Sequence, residues 1–396
     1  MCGDNFVNNE IIRKGVANMI IMDVKINNLY AFKNFHMNMS YPKKIVGSTI
    51  DNEFLETRPN FRYKKLNIIM GSNATGKTSL GKVLMLFANF FKDGDANRFK
   101  NIVNGDIKDA KLQIDFVTDE DKLFRFVFKS ILTTDIMPNG NYHKEVKTNI
   151  FYTPINKKDN YETCASRLEN GDFTEVNYED IDTSGWCFSY PKDSDISDGY
   201  KIIENDKKYI CVLENVLKTL DSSIQNVKKI DEVDNAYAIK YPNHTVLIHD
   251  GKILEPEKLS SGTKAGIEIS YNIASLLLNR HDLYYCDELF SYINSDIEKA
   301  VLSIMIDTLK GRKQMFFTTH NTDILDMQLP MHSYVFLKKT IKDAETPIQC
   351  IDASEYLKRN TDSLRNAVEN DLFNTSPNLD NLFNLIDLYN EAIYEE

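Results

Sequence analysis

The chain has 396 residues, of which 42% are hydrophobic and 27% charged, and its net charge is −11. This is long enough to bury a sizeable core, and the composition excludes a disordered or fibrous protein. No run approaches eighteen apolar residues, which excludes a membrane span, and the acidic balance argues against nucleic acid as a direct ligand, because Lys43-Lys44, Lys64-Lys65 and Lys338-Lys339 are only short basic pairs.

Residues 1–21 read as an N-terminal extension. They contain Glu10, Arg13 and Lys14 and lack a clean apolar stretch and a cleavage site, so they do not read as a signal peptide. Cys2, Cys164, Cys187, Cys211, Cys286 and Cys350 are scattered, with no Cys-x-x-Cys pair. That spacing excludes a zinc hook, argues against a disulfide scaffold and points to a cytoplasmic chain.

From Met22 the alternation of Val24, Ile26 and Leu29, then Phe35, Met37 and Met39, predicts two short strands around a turn. Residues 50–62 read as a loop, and KLNIIM (65–70) as a compact apolar strand. A Gly-rich turn and an amphipathic helix follow. Residues 110–131 predict an antiparallel hairpin. Residues 132–200, rich in Asn, Asp, Gly, Pro and Ser, read as the least regular part, and 203–230 as helical. NAYAIKYP and HTVLIHD read as strands. A long helix is expected from Ser261 to Leu278, a buried strand at LYYCDEL, a helix over 296–310, a buried strand at KQMFFTTH and an acidic helical tail over 351–396. This alternation predicts an α/β fold with a mostly parallel, helix-covered core sheet, an antiparallel β subdomain and a helical insertion.

The strongest chemical signal is Gly71-Ser72-Asn73-Ala74-Thr75-Gly76-Lys77-Thr78-Ser79, which matches G-x-x-x-x-G-K-[ST] between a strand and a helix. Gly71, Asn73, Ala74, Thr75, Gly76, Lys77, Thr78 and Ser79 are the candidate phosphate cradle. Glycines let backbone N–H groups converge on phosphate oxygens, and the helix N-terminus adds its positive dipole end. Lys77 is expected to reach the β- and γ-phosphates of ATP, and the Thr78 hydroxyl to ligate Mg²⁺. In LYYCDEL, Asp287 is the expected second Mg²⁺ ligand through water, and Glu288 the general base, which is the Walker B pattern.

Leu259-Ser260-Ser261-Gly262-Thr263-Lys264 runs directly into a long helix. A Ser hydroxyl, a glycine amide and a helix N-terminus make an anion site, although the same residues also make an ordinary N-cap. Phe316-Phe317-Thr318-Thr319-His320 ends another buried strand in a polar triplet, one helix after Walker B. Ser291-Tyr292-Ile293-Asn294-Ser295-Asp296 follows Walker B.

These motifs, in this order, resemble those of the ABC superfamily of ATPases. The signature there is usually LSGGQ; here Ser261 replaces a glycine and Thr263 the glutamine. KINNLYAFKNF, LSSGTK, TTHNTDILD and SLRNAVEN (363–370) resemble one branch more closely, the OLD-like AAA-type ATPases of prokaryotic anti-phage defence and abortive-infection systems, including the ATPase subunits of PARIS-type systems. The resemblance covers 22–82 and 236–370. It implies an ABC-ATPase nucleotide-binding domain over 22–350, with 83–235 as a variable insertion and 351–396 as a C-terminal helical segment. It also implies that His320 is the switch histidine, within reach of the γ-phosphate, that Ser260, Ser261 and Gly262 complete the ATP site of a second copy, so that the active unit is a homodimer or a higher homo-oligomer, and that 291–296 crosses the dimer interface. About 66 residues follow Pro330, too few for the TOPRIM domain of OLD nucleases. The expected role is therefore a sensor or scaffold that holds and releases a separate effector protein, a TOPRIM nuclease or another toxin, in response to a phage-encoded trigger protein. The loops of 132–200 are the expected partner surface. The competing expectation is an SMC-like ATPase of DNA repair or DNA-end binding, which the acidic charge and the short helical stretch between P-loop and signature disfavour. Gln113 is the one candidate for a Q-loop glutamine, but its mid-strand place favours a structural role.

Overall fold

The computed structural model describes residues 19–386, apart from 46–47, 106–108, 119–120, 137–141, 184, 192–198, 205, 341–345, 358–361 and 376–378, with backbone alone at 132–136 and 142–144. Two six-stranded sheets dominate. The core sheet has the spatial order Trp186–Ser189, Leu283–Asp287, Gln314–Thr318, Leu66–Met70, Tyr334–Lys339, Ile348–Asp352, and all its neighbours run parallel except the last pair. Three of its four inner strands, LNIIM, LYYCD and QMFFT, are buried at every residue, as a sheet covered on both faces requires. The second sheet is antiparallel, in the order Phe35–Asn38, Ile20–Asn27, Asp109–Val117, Lys122–Ile136, Tyr142–Pro154, Thr174–Val176. The mostly parallel core sheet and the antiparallel subdomain are the fold class expected from the alternation of elements.

The helix Lys77–Asp93 lies between the two sheets. Phe87 meets Phe116 and Phe126 of the antiparallel sheet with ring centroids 5.3 and 5.4 Å apart. On the opposite side Gly81 lies under the Tyr285 ring of the core sheet, and a Cβ at Gly81 would approach that ring to 2.5 Å. Phe87 is fully buried, so its truncation to Ala costs about 3–5 kcal/mol. The other face of the core sheet is covered by the helices Ser261–Leu277 and Ser295–Thr308. A smaller four-stranded antiparallel sheet, Asn226–Lys229, Ala236–Lys240, Thr245–His249 and Lys252–Ile253, shares a third core with the helix Lys207–Leu220. Leu217 and Leu220 of that helix close over Gly266 of the Ser261–Leu277 helix.

Several expectations change. The first strand begins at Ile20, so the extension gives up its last residues to the sheet; residues 1–18 lie outside the described ones. Gln314 pins this strand to the core: its side chain accepts from Ile21 N at 2.8 Å and donates to Ile21 O at 2.9 Å. Residues 50–62 hold a small hairpin, Phe54–Leu55 with Arg58–Arg62. The stretch 132–200 is far more ordered than its composition suggests. Tyr142–Pro154 extends the antiparallel sheet, Tyr161–Glu169 is a helix capped by Asn160, and Trp186–Ser189 is the edge strand of the core sheet beside LYYCD. The helical stretch is shorter than 203–230: Asp206 caps it by accepting from Lys208 N and Tyr209 N, it stops at Leu220, and Asn226–Lys229 is a strand. In the tail, residues 351–352 close the core sheet, Ala353–Tyr356 and Leu364–Glu369 are short helices, and 380–386 are helical.

Candidate functional site

The carboxyl ends of parallel strands are where an open α/β sheet presents a ligand crevice, and three of the predicted motifs end there together. Gln314–Thr318 sits between Leu66–Met70 and Leu283–Asp287, so one register row holds Ile69, Thr318 and Asp287. At Gly71 a Cβ would lie 2.5 Å from Leu337 O, so only glycine fits where the chain leaves the P-loop strand. Ala74 and Gly76 take positive φ angles of 62° and 94°, and Thr75 Oγ1 donates to Ser72 O at 2.8 Å. Asn73 and Ala74 are exposed at the loop tip; Thr78 and Ser79 are half-buried. The Lys77–Asp93 helix has no capping side chain and no acidic residue in its first turn, which leaves its N–H groups to an external anion. Lys77 Nζ folds back on the loop, donating to Gly71 O at 2.9 Å and to Ser72 O at 3.3 Å.

Asp287 is completely buried and receives two hydroxyls, Thr78 Oγ1 at 2.6 Å and Thr318 Oγ1 at 2.7 Å. Burial pushes its carboxyl above the usual range, against these two bonds. The Thr318 hydroxyl in turn accepts from Glu288 N at 2.9 Å. Glu288 has φ 45°, a left-handed conformation that costs a non-glycine residue about 1–3 kcal/mol and concentrates at functional sites. Its Oε1 lies 2.7 Å from His320 Nε2 and 3.6 Å from Lys77 Nζ. The His320 contact, then the charge of Lys77, holds the Glu288 carboxyl below the usual range against partial burial, while burial lowers Lys77. Thus Lys77, Thr78, Asp287, Glu288 and His320 converge on one junction.

Three further residues build this junction. Thr318 was legible only as part of the polar triplet ahead of His320. Tyr285 OH donates to Lys77 O at 2.6 Å, tying the Walker B strand to the first turn of the P-loop helix. Glu298 is buried and accepts from Thr319 Oγ1 and Asn321 Nδ2. Neither Tyr285 nor Glu298 carries a local sequence signal, since both act across elements.

Ser260, Ser261 and Gly262 are placed differently. Ser260 is the N-cap of the Ser261–Leu277 helix: its Oγ accepts from Thr263 N at 3.0 Å and lies 2.8 Å from Thr263 Oγ1. Ser261 is exposed, and a Cβ on Gly262 would lie 3.0 Å from Tyr292 O. Both readings of this segment, N-cap and anion site, are compatible with that geometry. Ser261 and Glu288 line one cleft of about 170 Å³ with Tyr190, Lys264 and Tyr292. A larger cleft, about 730 Å³, lies elsewhere, between 325–332 and 363–365, so size does not mark the strand ends. Gln113 is buried within Asp109–Val117, opposite Lys25.

Neither a protein-family profile nor a curated protein sequence matches the chain. Solved structures with a related fold include an SmcHead bound to the C-winged helix domain of ScpA, at 12% identity and a TM-score of 0.45, with 86% of this chain and 99% of that one covered. They also include the SMC head domain from Thermotoga maritima, at 12% identity and a TM-score of 0.36, with 83% and 97% covered. A third is the recombination mediator protein RecF bound to ATP, at 10% identity and a TM-score of 0.37, with 86% and 98% covered. Among the described residues, no helix is long and apolar enough to cross a membrane.

Proposed function

We propose that this chain is an ABC-type ATPase, binding Mg-ATP at the ends of its P-loop, Walker B and switch strands and hydrolysing it when a second copy supplies its signature. The observation that carries this reading is the junction itself, where one buried carboxylate, Asp287, receives the hydroxyls of both the P-loop Thr78 and the switch-strand Thr318. The Lys77 ammonium rests on two loop carbonyls, contacts that phosphate oxygens would take over. The Thr78 hydroxyl and Asp287 carboxylate are hard oxygen donors and suit Mg²⁺, which keeps several waters and takes few protein ligands. When bound, Mg²⁺ neutralises charge developing on the phosphates. Glu288, kept ionised by His320 and Lys77, accepts a hydrogen bond from the attacking water and orients it. Ser260, Ser261 and Gly262 serve the ATP bound to the other copy.

The test pairs two variants. Lys77→Ala is expected to lose ATP binding, and Glu288→Gln to bind ATP and lose turnover. Wild-type affinity in the first, measured with labelled ATP, removes the site assignment.

The finer role is that of a sensor subunit in a cytoplasmic anti-phage defence pair, holding a separate toxic effector, a TOPRIM nuclease or another toxin, until a phage-encoded trigger drives the cycle. What supports it is the wording of LSSGTK, TTHNTDILD and SLRNAVEN. Co-purification with the products of neighbouring genes, with and without ATP, tests it. A nuclease or toxin whose retention depends on ATP is the expected result; ATP-dependent capture of DNA ends instead would favour the SMC-like repair reading.

A further inference from the structure

The geometry points to Glu298 as a positioning residue that holds the His320 segment in register and links it to the loop after Walker B. This rests on the ATPase reading above, in which His320 and Glu288 face the γ-phosphate.

Glu298 lies in the first turn of the Ser295–Thr308 helix and is 3% exposed. Both carboxylate oxygens are engaged. Oε1 accepts from Thr319 Oγ1 at 2.9 Å, and Oε2 accepts from Asn321 Nδ2 at 2.6 Å. These two donors are the residues immediately before and after His320. One buried carboxylate therefore holds the side chains on both sides of the histidine while leaving its ring exposed toward Glu288. The grip is extended by neighbours: Thr319 Oγ1 also accepts from Asn321 N at 3.0 Å, Asn321 Oδ1 accepts from Asp323 N at 2.9 Å, and Thr319 N donates to Ile69 O at 3.2 Å.

The other end of the link is the loop 289–294. Glu298 N donates to Asn294 O at 3.0 Å, and Asn294 caps the helix through Asp296 N at 2.8 Å. Two residues before Asn294, the Tyr292 carbonyl stands against Gly262. Gly262 thus touches Tyr292, which lies two residues along the same loop from Asn294, and Asn294 is hydrogen-bonded to the Glu298 that holds both neighbours of His320.

The experiment is a double-mutant cycle on the full chain between Glu298→Gln and His320→Ala, reading kcat, KM, equilibrium ATP affinity and Tm. Gln retains volume and one acceptor but turns an amide N–H₂ toward one of the two donors, so it loosens the grip without opening a cavity. Glu298→Gln is expected to lower kcat about tenfold, with KM and ATP affinity within about twofold of wild type, since the P-loop is untouched. In the His320→Ala background the same substitution is expected to cost less than about twofold, because its effect passes through the histidine. Asn321→Ala, which deletes one donor outside the helix, is expected to mimic it. An undiminished kcat in Glu298→Gln, or a full tenfold loss added to that of His320→Ala, overturns the positioning role alone. An undiminished kcat in His320→Ala itself overturns the switch reading on which the proposal stands.

Discussion

The P-loop junction and the signature helix start are both places where a helix N-terminus follows a serine- or glycine-rich turn, yet the chain treats them oppositely. At the first, no side chain caps the Lys77–Asp93 helix, and three strands direct Lys77, Asp287, Thr318, Glu288 and His320 into the space before it. At the second, Ser260 caps its own helix and Ser261 faces solvent. A helix end left uncapped inside a crevice is stable only with a partner for its N–H groups. A capped and exposed one is stable alone and free to meet another molecule. On the proposed reading, the difference separates a site built within one chain from a surface offered to a second.

The sharpest break of this comparison is Lys77→Ala, expected to lower ATP affinity at least a hundredfold, because among the described residues no other cation stands on Gly71 O and Ser72 O; equilibrium binding of labelled ATP reads it. Next, Glu288→Gln is expected to lower steady-state turnover about 10²–10⁴-fold, the usual worth of a positioned acid–base group, with ATP affinity retained. Chelation of Mg²⁺ should stop wild-type turnover as completely. The signature is tested by mixing. Lys77→Ala and Ser260→Ala chains, each inactive alone, are expected to recover up to about a quarter of wild-type activity together, because random pairing yields half heterodimers, each with one complete site. No recovery in a mixture shown to contain heterodimers would place the whole site within one chain.

Smaller effects sharpen the packing side. Gly81→Ala pushes a methyl into the Tyr285 ring and is expected to cost about 1–3 kcal/mol by overpacking, read as a fall in Tm. Ser260→Ala should cost only about 1 kcal/mol, the usual worth of an N-cap, so its loss of turnover in the mixing experiment would exceed anything its stability explains.

Much of the junction was legible. Gly71 to Thr78, Asp287-Glu288 and His320 are contiguous motifs at strand ends, and local spacing suffices to find them. Residues 132–200 were misjudged for the converse reason. Trp186–Ser189 is four residues long, lies among loop-forming residues, and is held by pairing with Leu283–Asp287 far along the chain. This also alters the partner surface expected there. Removing 186–189 would strip an edge strand from beside Walker B, so a deletion that spares the ATP site has to leave that strand in place.

By itself the sequence determined the groups carried on consecutive residues: a glycine-rich turn between a strand and a helix, a paired carboxylate after a buried strand, a serine- and glycine-led helix, and a histidine closing another strand. Each is recognisable because backbone direction and helix-end electrostatics are local properties. Only the tertiary structure decided which distant groups meet. Sheet order set Thr318 beside Asp287, whose carboxylate also receives Thr78, a missing side chain at Gly81 admitted Tyr285 to the P-loop helix, and the burial of Glu298 aimed it at both neighbours of His320. Those contacts span up to about two hundred residues of chain, and such pairings are fixed by packing between elements, which no local pattern encodes.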